Sequence, residues 1–133
     1  MQLEYQRRYG GEGDTAPIDT SELDGPGGAF FMIYVDDVPA AMGGWRRHGG
    51  GGDAEIKRMY VRPAFQRRGL ARALLAHLEA TASRAGFTRL ILETGLAQPE
   101  AIAMYRSSGY QDIPAFGFYA SDPLSVHLAK TIG

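Results

Sequence analysis

At Arg62-Pro63 the hydrophobic pattern of this chain changes period, and that switch narrows the possible folds more than any other feature. Upstream, apolar residues come in continuous or alternating runs, as strands require. Downstream, Leu70, Leu74 and Leu78 recur every four residues with Ala71, Leu75 and Ala82 beside them, while Arg72, Glu79 and Ser83 mark the opposite face. That spacing predicts an amphipathic helix with one buried stripe, capped at its C-terminal end by Gly86. Between the two patterns lies a short basic loop, Gln66-Arg67-Arg68, and the helix begins at Gly69.

The remaining elements follow from the same logic. Ala29 to Val35 is a continuous apolar, aromatic and β-branched run, hence a strand. Asp36-Asp37 turns it, and Val38 to Arg46 returns as a second strand. The loop from His48 to Asp53, with glycines at 49 to 52, leads into a third strand, Ala54 to Val61. Thr88 to Glu93 is a short strand. Pro99 opens a helix through Ser108 that Gly109 ends. Tyr110 to Ile113 and Leu124 to Lys130 close the chain as strands. At the start, Leu3 to Tyr9 is expected to make two helical turns, stopped by Gly10, Gly11 and Gly13, with loop over 14–28. The order predicts a single mixed α/β (α+β) domain over 1–133. Its first 28 residues form a short helix and loop, and 29–130 carry the sheet and the ligand site.

Composition excludes several function classes. With 133 residues, 44% of them hydrophobic, the chain can bury one core but not two. A formal net charge of −1 offers no general attraction to nucleic acid or to an anionic membrane, so any anion site must be local. The absence of cysteine removes disulfides, thiolate zinc sites and a cysteine nucleophile. No apolar run approaches the roughly 18 residues of a membrane span. Met1 to Tyr5 lacks the apolar core of a signal peptide, so the expected location is the cytoplasm. His48, His77 and His127 are dispersed, and no metal site is expected. There is no P-loop and no G-x-S-x-G elbow. Gly25-Pro26-Gly27 neither follows a strand nor opens a helix, so it is no dinucleotide fingerprint.

The segment from Tyr60 to Ala71 carries the chemistry. Free N–H groups at a helix start point outward with partial positive charge and bind phosphate. Gly69 and Ala71 keep the approach to them open. Arg67 and Arg68 add charge at a helix end where cations oppose the dipole, which favours an anion-binding role over a merely solvated first turn. Gln66-Arg67-Arg68-Gly69-Leu70-Ala71 resembles the Q/R-x-x-G-x-G/A signature of GNAT-superfamily N-acetyltransferases. Ala54 to Pro63 and Ala101 to Tyr110 are similar to the flanking segments of that family, in the same order and on the expected elements.

The resemblance implies a mostly antiparallel sheet with two splayed strands, flanked by helices, and acetyl-CoA as donor. Its pyrophosphate would lie on the amides of Gln66, Arg67, Arg68, Gly69, Leu70 and Ala71, with Arg72 nearby. The pantetheine arm would run along the third strand beside Met59, Tyr60 and Val61, and Gln98 would contact the donor or cap its helix. The acetyl group would sit where strands 54–61 and 88–93 part. Tyr105 falls at the family's general-acid position, and a phenol of pKa about 10 is protonated at neutral pH. Its other reading is a core aromatic, sharing a face with Ala101, Met104 and Ser108.

Glu55 falls where some members place a general base. Strand alternation puts it on one face with Lys57, Met59 and Val61, where apolar neighbours would raise its basicity. Glu93 is the rival base or a substrate contact. In the loop from Ile113 to Pro123, Tyr119 or Asp122 could touch the acceptor amine. Family members generally begin with a strand and a helix ahead of the piece that Leu3 to Tyr9 resembles. Their absence would leave strand 29–35 as an open apolar edge, for which a homodimer is the expected cover. The activity implied is acetyl transfer to a primary amine of a small molecule. A protein or peptide amine, or a non-catalytic acyl-CoA-binding module, are the alternatives.

Overall fold

The computed structural model describes residues 3–8, 27–96, 98–117 and 121–133. They form a seven-stranded sheet of order β1-β2-β3-β4-β5-β7-β6. The strands are β1 (Leu3–Arg8), β2 (Gly28–Val35), β3 (Val38–His48), β4 (Asp53–Val61), β5 (Arg89–Gly95), β6 (Gln111–Asp112) and β7 (Ser125–Thr131). Helix α1 (Leu70–Arg84) joins β4 to β5, and α2 (Pro99–Ser107) joins β5 to β6. Every pairing is antiparallel except that of β4 with β5.

The hairpins form where turn chemistry predicts them. Asp36 and Asp37 both have positive φ, the conformation a two-residue hairpin between Val35 and Val38 requires. Gly52 holds φ 91°, and a Cβ there would meet the Thr88 hydroxyl at 2.7 Å. Its carbonyl accepts the Thr88 and Arg89 amides, so the glycine loop also anchors the start of β5.

The opening segment is a strand, not the expected helix. β1 pairs along β2 from Leu3 opposite Val35 to Arg8 opposite Phe30. The edge of β2 is therefore occupied, and the premise of a dimer covering it falls away. Six residues are too few for periodicity to separate helix from strand, and the partner strand decides the outcome. The loop expected at 14–28 lies outside the described residues except for its last two positions.

The core lies between the sheet and one helical layer. Leu70, Leu74, Leu75, Leu78 and Ala82 of α1 pack on Phe31, Ile33, Trp45, Ile56, Leu90 and Leu128. Each fully buried Leu or Ile contributes about 1.5–3 kcal/mol of transfer free energy. Trp45 brings its indole N–H with it and donates to Thr81 Oγ1 at 3.0 Å. Glu79, expected on the solvent face, instead accepts hydrogen bonds from the Tyr110 hydroxyl and the Lys130 ammonium, each at 3.0 Å. The flank of α1 that the pattern left polar is met by Tyr110, just ahead of β6, and by Lys130 of β7.

Two irregularities shape the sheet. In β4, Arg58 has φ 63° and the register with β3 slips between Met42 and Gly44, a β-bulge opposite Gly43. The extra residue reverses the alternation: Ala54 and Ile56 face α1 before it, and Met59 and Val61 face α1 after it. Glu55 therefore does not share a face with Met59 and Val61. Second, β4 and β5 pair only from Asp53–Arg89 to Glu55–Ile91 and then part, although both strands continue.

Candidate active site

The gap between the parted strands leads to the start of α1. Past β4 the chain makes a single 3₁₀ turn, Pro63–Phe65, and enters α1 through Gly69 as N-cap with φ 77°. The first bond of the helix runs from Ala73 N–H to the Gly69 carbonyl, so the amides of Leu70, Ala71 and Arg72 find no acceptor within it. No side chain caps this end and no acidic residue stands in its first turn. Arg67 also has positive φ, so two left-handed residues, Arg67 and Gly69, bend the chain as it enters α1. A Cβ on Gly69 would meet nothing within 4 Å, which leaves the cradle open to a ligand. These residues fit a phosphate-bearing donor.

The side chains around the cradle divide their tasks. Arg68 lies over the Phe65 ring at 5.4 Å, and Arg67 reaches Glu100 at 3.8 Å with both groups solvent-exposed. Gln66 donates its side-chain amide to the Val61 carbonyl at 3.2 Å and ties the loop to β4. Arg72 donates to Ser107 Oγ at 2.7 Å and Ser108 Oγ at 3.3 Å, so its guanidinium joins α1 to the end of α2. Beyond Glu55, the β5-facing edge of β4 has no register partner in β5. Such an edge accepts an extended amide chain as if it were a strand.

Tyr105 lies in the helical layer, buried, with its ring edge-on to Tyr110 at 5.8 Å. Burial pushes its hydroxyl up to about 12. Glu55 lies on the other face of the sheet, at the point where β4 and β5 part. Its carboxylate is 3.4 Å from Arg46 Nη2, 3.6 Å from His48 Nδ1 and 3.6 Å from Lys57 Nζ. The apolar neighbours expected for it, Met59 and Val61, lie on the opposite face because of the bulge, and Ile91 of β5 stands in register beside it instead. Glu93 shares the face of Glu55 and stands opposite His127 of β7. Gln98 is exposed at the N-cap of α2 and makes no side-chain cap bond. Tyr119 lies outside the described residues.

The Acetyltransferase (GNAT) family model matches residues 1–110. The chain belongs to the GNAT acetyltransferase family. Among its relatives, an uncharacterized N-acetyltransferase of Bacillus subtilis, YsnE, is 35% identical over 86% of this chain and 77% of its own length. An IAA acetyltransferase of Azospirillum brasilense is 43% identical over 62% of this chain, a match that spans 54% of that relative. A candidate acyl-CoA N-acyltransferase from Klebsiella pneumoniae superposes with a TM-score of 0.79 at 35% identity, covering 87% of this chain and 80% of that one.

Against this GNAT frame, sequence reasoning missed one residue. His48 closes β3, and the glycine loop folds back so that its imidazole stands beside Glu55. It lines a cleft of about 340 Å³ on the face away from α1 and α2, together with Asp53, Arg89, Ile91, Ile113, Pro114 and Phe116. The signal available was strand alternation, since His48 and Arg46 share a face and Arg46 stands opposite Glu55.

Proposed function

We propose that this chain transfers an acetyl group from acetyl-CoA to a primary amine of a small molecule, by direct attack through a tetrahedral intermediate. The observation that carries this reading is one continuous path. An open helix N-terminus flanked by Arg67 and Arg68 leads to the unpaired edge of β4, and that edge ends at Glu55, beside the cleft on the opposite face. Donor and acceptor could thus meet from two sides of the sheet.

In this account the amides of Gln66 to Ala71 hold the pyrophosphate, with Arg67 and Arg68 as countercharges. Arg72 serves by holding α2 against α1. Met59, Tyr60 and Val61 offer backbone groups to the pantetheine arm. The donor supplies an acyl carbon already activated as a thioester. Tyr105 gives its proton to the departing sulfur. Glu55 and Glu93 place two carboxylates on the acceptor face, the first of them at the vertex. The cleft volume lies at the small end of ligand pockets and favours a small amine over a protein or peptide.

Tyr105→Phe tests the central step. Thiol release should fall by about 10²-fold, the usual contribution of a general acid, while acetyl-CoA affinity stays within twofold of wild type. Unchanged turnover would remove Tyr105 from the mechanism. Binding of acetyl-CoA without turnover in the wild type, across amines, would favour a non-catalytic acyl-CoA module.

A further inference from the structure

We propose that His48 takes the proton from the acceptor's ammonium, oriented by Glu55, and that the cleft it lines accepts a primary amine carried on a small apolar or aromatic body. This rests on the acyl-transfer reading above and adds the base and the acceptor class to it.

The cleft has one kind of wall and one reactive group. Ile91, Ile113, Pro114 and Phe116 supply its apolar surface. The charged pair that borders it is closed on itself: Arg89 donates to both oxygens of Asp53, at 2.9 and 2.8 Å. Those charges satisfy each other, so the cleft favours an uncharged body. Phe116 is held edge-on between His48 at 5.2 Å and His127 at 4.9 Å, which fixes the wall against which such a body would pack.

His48 suits proton transfer better than Glu55 does. The Glu55 side chain is 9% exposed and already has Arg46, His48 and Lys57 around it. The His48 side chain is 36% exposed and lines the cleft. Its Nδ1 stands 3.6 Å from Glu55 Oε1, an orientation in which the carboxylate holds the ring and leaves Nε2 for the substrate. Contacts of this kind shorten in the substrate complex. An imidazole is also the side-chain type best matched to accepting a proton near neutral pH.

The ammonium gives one proton to His48 Nε2, and the free amine forms a C–N bond to the acetyl carbonyl carbon. Collapse breaks the C–S bond, the nitrogen passes its second proton to water, and the sulfur gains one from Tyr105, which takes a proton back from the hydronium so formed. Imidazolium at His48 then releases its proton, for a net yield of amide, thiol and one proton.

The test uses the full chain with acetyl-CoA and three amines: 2-phenylethylamine, spermidine and an alanine-initiated tripeptide. His48→Gln should lower kcat/KM for 2-phenylethylamine by about 10²-fold and flatten the acid limb of its pH profile. Glu55, Lys57, Asp53 and Arg46 face this imidazole, with Arg89 behind Asp53 and His127 beyond Phe116; all are intact in the variant. Phe116→Ala should raise KM for 2-phenylethylamine about tenfold with little change in kcat. Calorimetry should show acetyl-CoA affinity unchanged in both variants, which also reports that they fold. A wild-type rate and pH limb in His48→Gln would overturn the base. Preference for spermidine or the tripeptide, indifferent to Phe116, would overturn the acceptor class. Wild type that binds acetyl-CoA yet releases thiol with none of the three would overturn both parts. Failure to bind acetyl-CoA would overturn the acyl-transfer reading itself.

Discussion

At Gly69 the fold and the proposed donor site make the same demand. Its φ of 77° lies in the left-handed region, and the space a Cβ would enter is empty. Gly69→Val should therefore fold, at a cost of roughly 1–2 kcal/mol for the backbone conformation. Its branched side chain would stand over the amides of α1, so acetyl-CoA affinity should fall more than tenfold by calorimetry while the melting temperature drops by only a few degrees. Wild-type affinity in that variant would place the donor elsewhere. Tyr105 makes a second demand at this scale. Burial raises its hydroxyl to about 12, above the ordinary phenol value. The fold thus favours the protonated form. That preference stabilises the protein below about pH 10 and is lost as pH rises toward 12, so the kcat profile should show no alkaline loss of this donor below pH 10.

At the level of elements, strands β2 to β4 and helix α1 were legible because each carries its own period and its own punctuation. The cradle was legible because it is local in sequence: strand, basic loop, glycine, helix. β1 was not, because its state depends on pairing with β2, more than twenty positions away in the chain. The bulge at Arg58 was not either, since a register slip is a property of two strands; the glycines at 43 and 44 were its only trace. Because of that slip, alternation grouped Glu55 with Met59 and Val61, whereas its juxtaposition with Arg46 and His48 lies before the bulge and depends on the β3–β4 register, which pairing of the two strands sets. The closed end of the parted strands offers a further prediction. The hydrogen bond from Arg89 holds the Asp53 carboxyl below its ordinary value, with burial opposing and the Arg89 charge adding to the lowering. A depressed carboxyl stabilises the fold above the unfolded value, near 3.8, and the contribution is lost as pH falls through the folded one. Asp53→Asn should be less stable than wild type by about 1 kcal/mol at pH 7, and urea midpoints should show the gap narrowing toward pH 3. A gap independent of pH would mean that the ion pair does not brace β4 against β5.

On the scale of the whole molecule, the sheet separates two tasks. Its helical face carries the core, Tyr105 and the start of α1, and its other face carries Glu55, His48 and the cleft. The parting of β4 from β5 connects them. A chain of net charge −1 has no general affinity for a polyanion, so the proposed donor site must draw its affinity from the cradle and the unpaired strand edge acting together. The most direct measurement is a calorimetric titration of the chain with acetyl-CoA, beside CoA and ATP. Saturable binding of acetyl-CoA and CoA, with ATP much weaker for want of a pantetheine arm to lie along β4, is the result this account predicts. ATP binding as tightly as acetyl-CoA would reduce the site to a phosphate cradle, and no binding by the folded chain would contradict the donor site outright.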